Sequence, residues 1–159
     1  MRVLSAAFLG FLLLVLPAHA AVPKDPIIGL WYTDGHEGGI EFYPCGDEIC
    51  GRFYWLKDNI ENGDVSRDFR NPEPARRDRP LCHMEFMTGF QPDGQGHYTD
   101  GLIYSPRHGQ NFDAEMTLID DDTLKLRGYI LIPLFGESQI WTRAKTMPKC
   151  SATYRPVDR

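Results

Sequence analysis

Between Phe112 and Ile130 the chain states one two-residue period twice. In FDAEMTL, residues 112–118, Phe112, Ala114, Met116 and Leu118 alternate with Asp113, Glu115 and Thr117. A pleated strand sends successive side chains to opposite faces, so this alternation fits a strand with one buried and one wet face rather than a helix. After the turn cluster IDDD, LKLRGYI repeats it, with Leu124, Leu126, Gly128 and Ile130 on one face and Lys125, Arg127 and Tyr129 on the other. Two such runs joined by a short acidic turn predict a β-hairpin. Six more runs have strand character between Gly, Pro, Asp or Asn: IGLWYT (28–33), GIEFY (39–43), GRFYWL (51–56), MEFMTGF (84–90), HYTDGLIY (97–104) and ESQIWTR (137–143). No amphipathic run at the 3.6-residue helical period exceeds about two turns. Eight strands in succession, mostly with short links, predict an all-β fold, an eight-stranded antiparallel up-and-down barrel, because closure removes the edge strands that invite aggregation.

Ahead of the strands stand Arg2, an apolar run from Val3 to Leu16, Pro17 and then Ala18, His19 and Ala20. A charged start, a short apolar centre and a small-residue end predict a signal peptide over residues 1–20, with residues 21–159 as a single exported domain, periplasmic or secreted. No cysteine sits at the cleavage point, so a lipid anchor is not expected there. No membrane span is expected either, since the longest later apolar run, YILIPLF at 129–135, is interrupted by Pro133. The net charge is −5, and loss of Arg2 makes it one unit more negative. That sign argues against a dedicated nucleic-acid binder, which needs a basic face.

The four cysteines, Cys45, Cys50, Cys82 and Cys150, all follow the leader. An even number in an oxidising compartment reads as disulfides. Of the three possible connectivities, CGDEIC favours Cys45 with Cys50, because Gly46 and Asp47 can form a tight turn, and this leaves Cys82 for Cys150. A zinc pattern can be assembled from Cys45, Cys50, Cys82 and His83, but the two halves of a standard zinc site are absent, so no metal and no cofactor are expected.

From Lys57 to Pro80 the strand rhythm stops. KDNIENGDVSRDFRNPEPARRDRP holds six basic and six acidic residues and three prolines, with almost nothing to bury. A link this long is either a solvated loop or a functional arm, a lid or a partner surface across one barrel mouth. Its four arginines in RNPEPARRDRP suit carboxylate or phosphate. DNIENGD, residues 58–64, looks like a calcium loop but has Ile60 at the third position and Phe69 where the twelfth requires Glu, so it reads as a turn.

Catalytic signatures are missing: there is no G-x-S-x-G, P-loop, H-E-x-x-H, S-x-x-K or G-x-G-x-x-G. His36, His83, His97 and His108 are scattered without paired spacing. No catalytic residue is proposed and the chain is not read as an enzyme.

Gly29 and Trp31 in the first strand and Arg143 in the last meet if the barrel closes, placing a guanidinium on an indole at one end. That arrangement resembles the G-x-W signature and late basic residue of lipocalins and their barrel relatives. The resemblance assigns Gly29, Trp31 and Arg143 a structural role. A closer resemblance is carried by PCGDEICGRFYWLK (44–57), RNPEPARRDRPLC (70–82), GLIYSPRHGQNFDAEMTL (101–118) and LKLRGYILIPLFGESQIWTR (124–143). On these the chain is identified as a member of a bacterial family of exported lipocalin-like proteins known as a domain of unknown function. Two positions depart from it: His83 stands where a glycine is expected, and Ser105 where an aspartate before Pro106 is expected.

The family implies a barrel without assigning an activity. The expected function is to bind a small apolar or amphipathic molecule, with Phe112, Met116, Leu126 and Ile130 lining the interior and Arg79 and Tyr104 as polar contacts near a mouth. The alternative is an interaction or inhibitor module with an envelope protein as partner, working through the 57–80 loop and YILIPLF.

Overall fold

The computed structural model describes residues 24–61 and 63–153. The leader expected over 1–20, with its cleavage point, lies outside the described residues. Ten strands follow in chain order: β1 (Gly29–Tyr32), β2 (Gly38–Cys45), β3 (Glu48–Leu56), β4 (Ile60–Glu61), β5 (Asp64–Val65), β6 (Glu85–Pro92), β7 (His97–Ser105), β8 (Gln110–Asp120), β9 (Thr123–Tyr129) and β10 (Glu137–Ala144). Eight of them close into an antiparallel barrel in the order β1-β10-β9-β8-β7-β6-β3-β2, and β4 pairs only with β5. The eight barrel strands are the eight that the sequence marks. The β8–β9 hairpin sets Met116 opposite Leu126 and Leu118 opposite Leu124, so both apolar faces turn to the same side.

Closure brings β1 and β10 side by side, with Trp31 opposite Arg143. The indole is fully buried, and the Arg143 guanidinium lies 4.2 Å from its ring centroid. Trp31 Nε1 donates to the Ile27 carbonyl at 2.8 Å, and Arg143 donates to the Pro26 carbonyl at 2.6 Å and to that of Asp121. The segment before β1 is thereby drawn across this end of the barrel as a floor. Tyr98 adds a tie by donating to Asp25 Oδ1 at 2.6 Å. Gly29 enters β1 with φ at +133°, a conformation that side chains rarely adopt, which accounts for the glycine two residues before the tryptophan. Above the floor, Phe42, Phe90, Met87, Met116 and Leu124 fill the barrel. The fit is close enough that a Cβ on Gly101 would stand 2.1 Å from the Phe90 ring.

The disulfides are Cys45–Cys50, across the β2–β3 turn, and Cys82–Cys150, which spans 68 residues. The second fastens a C-terminal strap to the barrel wall. Residues after β10 run back over the outside of β2 and β3: Met147 packs where a Cβ on Gly39 would be, the Cys150 N–H donates to the Tyr54 carbonyl at 2.9 Å, and Asn59 donates to the Ser151 carbonyl at 3.0 Å. His83, beside the bridge, has φ at +64°. That left-handed conformation gives the physical reason a glycine would be at ease there.

The 57–80 segment is more ordered than its composition implies. The β4–β5 ladder turns through Gly63, Pro74–Arg76 form a 3-10 turn, and Arg67 bridges to Pro80. Its anchor is polar. Asp68 is fully buried and accepts from Tyr104 Oη at 2.7 Å, Asn71 Nδ2 at 2.6 Å and Arg79 Nε at 2.8 Å. With both oxygens engaged and a guanidinium beside it, the carboxylate tolerates burial that an unpaired one would not. The segment therefore has something to bury after all: Val65, Asp68 and Asn71.

Candidate functional site

Opposite the tryptophan-capped floor, the barrel opens. The connections at this end are β1–β2, β3–β6, β7–β8 and β9–β10, and they surround a cavity of about 850 Å³. Its walls are apolar because the inward positions of the strand alternation continue upward from the core: Ile40 from β2, Phe53 from β3, Ile103 from β7, Phe112 from β8, Leu126 from β9 and Trp141 from β10. Phe86 from β6 completes the ring, stacked on Phe53 with centroids 4.0 Å apart and planes 7° from parallel. Trp141 marks the bottom, since it also stacks on the core residue Phe42 with centroids 6.1 Å apart. Its Nε1 donates to Gln139 Oε1 at 2.8 Å, satisfying the indole without a ligand.

The rim is polar. Asp34 and Glu37 lie between β1 and β2, Asp58 just beyond β3, Glu137 at the start of β10, and Arg107 and His108 between β7 and β8. His108 Nδ1 is 2.9 Å from Ser105 Oγ, and its ring meets the edge of Phe112 at 5.9 Å. Ser105 therefore serves the turn: its carbonyl accepts from the N–H groups of His108 and Gly109. Tyr129 also lines the mouth, and burial together with the carboxylates of Glu115, Asp113 and Asp100 raises its hydroxyl pKa, keeping it neutral.

Of the residues expected to contact a ligand, Phe112, Leu126, Ile130 and Tyr104 all line this cavity. Met116 is inward-facing but deeper: it is 1% exposed in the packed core, and it is not part of the lining. Arg79 is held away from the mouth, with its guanidinium on Asp68 and 5.5 Å from the Tyr104 ring centroid. It lines a second hollow of about 530 Å³, formed by the 57–80 segment together with residues of β6, β7 and β8. Tyr104 borders both hollows, and its hydroxyl pKa is raised by burial and then by the bond to Asp68, so it remains a donor. Ile40, Phe53, Phe86, Ile103 and Trp141 were not among the expected contacts, although the alternation in their strands is the signal that locates them.

One loop does not bury its apolar residues. Between β9 and β10, Leu131, Leu134 and Phe135 are 88%, 76% and 78% exposed. Arg127 fixes the loop by donating to the carbonyls of Pro133 and Leu134 and to Ser138 Oγ. Elsewhere, Cys82, His83 and Cys150 place three potential metal-ligand atoms within 4.8 Å of one another. Both sulfurs are in the disulfide, so the group has no thiolate to offer, and the three cysteines of the zinc pattern, Cys45, Cys50 and Cys82, are likewise in bridges. Burial and the nearby Lys149 and Arg52 charges hold the His83 pKa below its ordinary value.

Comparison with known proteins agrees with this architecture. The sequence pattern of a family described as an uncharacterized protein conserved in bacteria, DUF2147, matches residues 29–143. Among solved structures, protein HP1028 from the human pathogen Helicobacter pylori, described as belonging to the lipocalin family, aligns with a TM-score of 0.67 at 18% identity, covering 75% of this chain and 83% of that one. At that identity the likeness shows the fold, a lipocalin-like barrel. No curated protein matches the chain significantly.

Proposed function

The chain belongs to the bacterial family DUF2147, and we propose that it binds one small apolar or amphipathic molecule inside the barrel. A single observation carries this reading: the upper half of the barrel holds a cavity of about 850 Å³ walled by Ile40, Phe53, Phe86, Ile103, Phe112, Leu126 and Trp141. Ligand sites are ordinarily hollows of a few hundred cubic ångströms with apolar walls and a few polar groups, and this one opens to solvent beside a polar rim. Because burial of apolar surface drives entry, affinity should follow ligand chain length before head-group identity. No catalytic step is proposed. The proposed setting is the periplasm or the exterior, supported by the leader in the sequence and by the two disulfides.

The test is displacement of an environment-sensitive dye from purified protein, together with mass spectrometry of an organic extract. Dye binding lost in Phe112→Asp, which sets a carboxylate into the apolar wall, supports the reading. A blank result with dye, lipids and aromatic compounds alike removes it.

A second reading, an interaction module, has its own observation, the exposed apolar tip of the β9–β10 loop. Replacing Leu131 and Leu134, which stand outside the cavity lining, by serine would abolish such an association. Dye binding deep in the barrel would survive the same change.

A further inference from the structure

Resting on the reading that the barrel cavity holds a ligand, we propose that the ligand carries a positively charged ammonium group, seated on the β1–β2 side of the mouth. The rim is electrically lopsided. Around the barrel, β10, β1, β2 and β3 are consecutive neighbours, and the cavity-lining carboxylates Glu137, Asp34, Glu37 and Asp58 belong to these strands or to the residues just beyond them. Glu37 is neutralised by Lys57 Nζ at 2.8 Å. Asp34, Asp58 and Glu137 have no cationic side chain within 4.0 Å among the described residues. Arg107 and His108, the lining bases, stand on the opposite side of the mouth, at the junction of β7 and β8.

Two physical terms then favour a cation. Asp34 and Glu137, which have no ion-pair partner among the described residues, and Asp58, which shares Lys57 with Glu37, leave an excess of carboxylates beside the apolar walls and so a negative potential in the opening. The wall below is aromatic, with Phe53, Phe86, Phe112, Tyr129 and Trp141 all lining the cavity. Ring faces attract ammonium groups and offer nothing comparable to a carboxylate head. An anionic head would find Arg107 and His108 on one side of the mouth and meet the carboxylates of Asp34, Asp58 and Glu137 across the opening. The ammonium could be that of a free organic amine or the head of a longer amphiphile, and the same chemistry would recognise both.

Isothermal titration of the whole exported domain decides this, with dodecyltrimethylammonium, dodecyl maltoside and dodecanoate, each below its micelle concentration, and with tetramethylammonium as a head without a tail. The cationic dodecyl compound should bind about tenfold more tightly than the neutral one at low salt, and the anionic one most weakly. The ratio of cationic to neutral affinity should fall toward one in molar salt and in the double variant Asp34→Asn, Glu137→Gln. Binding of tetramethylammonium alone would identify a small amine, and its failure beside tight dodecyltrimethylammonium binding an amphiphile; both keep the proposal. Equal affinities for the three heads, tightest binding of dodecanoate, or a ratio indifferent to salt and to the double variant would overturn it while leaving the apolar cavity standing. Absence of binding by all of them would remove the cavity reading itself.

Discussion

The two ends of this barrel are built from the same strands and the same alternation, yet one is solid and the other hollow. At the solid end every large inward side chain has a lid: Trp31 sits beneath Arg143 and hydrogen-bonds to Ile27, and Tyr98 is tied to Asp25. At the hollow end the stacked rings of Phe53 and Phe86 and the ring of Phe112 border space that no protein atom fills. The difference comes from what crosses the axis. Below, the segment before β1 folds over the opening; above, the connections stand around the rim, and the longest of them is pinned to the outer wall through Asp68 and Tyr104. Stability should therefore concentrate at one end and binding at the other.

The largest expected effect tests that division at the solid end. Trp31→Ala removes a fully buried indole and its hydrogen bond to Ile27, and leaves Arg143 without the ring it covers. The loss should be about 5 kcal/mol in urea unfolding, the upper end of the range for aromatic truncation in a core. A cost below about 1 kcal/mol would mean that the floor is not what holds the barrel shut. Next comes the strap. Replacing Cys82 and Cys150 together by alanine frees a 68-residue span and should cost about 4 kcal/mol by chain entropy. Unfolding of the oxidised and doubly substituted proteins measures it directly, and an unchanged midpoint would show that the strap's packing on Gly39 and Tyr54 suffices without the bridge.

A pH series separates the ends more gently. Tyr98 at the solid end and Tyr104 near the mouth both have hydroxyl pKa values raised by burial and by donation to a carboxylate, Asp25 and Asp68 respectively. A group whose pKa is higher folded than unfolded contributes stability that is whole below the unfolded value. That contribution is lost as pH rises through the folded one, because the unfolded chain releases its proton first. Stability should therefore decline above about pH 10, the ordinary tyrosine value. Tyr98→Phe should flatten that decline more than Tyr104→Phe, since Tyr98 carries the larger shift. Equal slopes in the two variants would contradict the assignment of the tighter end to Tyr98.

How much of this was legible beforehand depends on which force writes the pattern. Apolar burial in a strand has a period of two, and so all eight barrel strands could be read, as could the meeting of Trp31 with Arg143 once closure was assumed. Period fixes the face and not the depth. Phe112 and Met116 share a strand and a face, but Phe112 reaches the cavity while Met116, four residues further along, is packed solid. The order in the 57–80 segment was hidden because it rests on a buried carboxylate and its three donors, and a polar network has no periodicity to find. The strap after β10 was hidden for a related reason: it lies on the wall through isolated contacts such as Met147 on Gly39, and Cys150 was its one mark in the sequence.

Phe112→Ala is the smallest stability effect and the sharpest test of the hollow end. The ring stands in the cavity wall against the edge of His108 rather than being enclosed by the core, so truncation enlarges an existing hollow instead of making a new one. Its cost in urea unfolding should be about 1 kcal/mol, well below that of a core aromatic. The same change removes apolar surface that a ligand would cover, and dye affinity should fall about tenfold. Leu124→Ala, in the packed core with no part in the lining, should reverse the pattern: a loss of about 3 kcal/mol in stability with dye affinity little changed. If both variants lost stability and affinity in the same proportion, the barrel would be one cooperative body with no separate binding half.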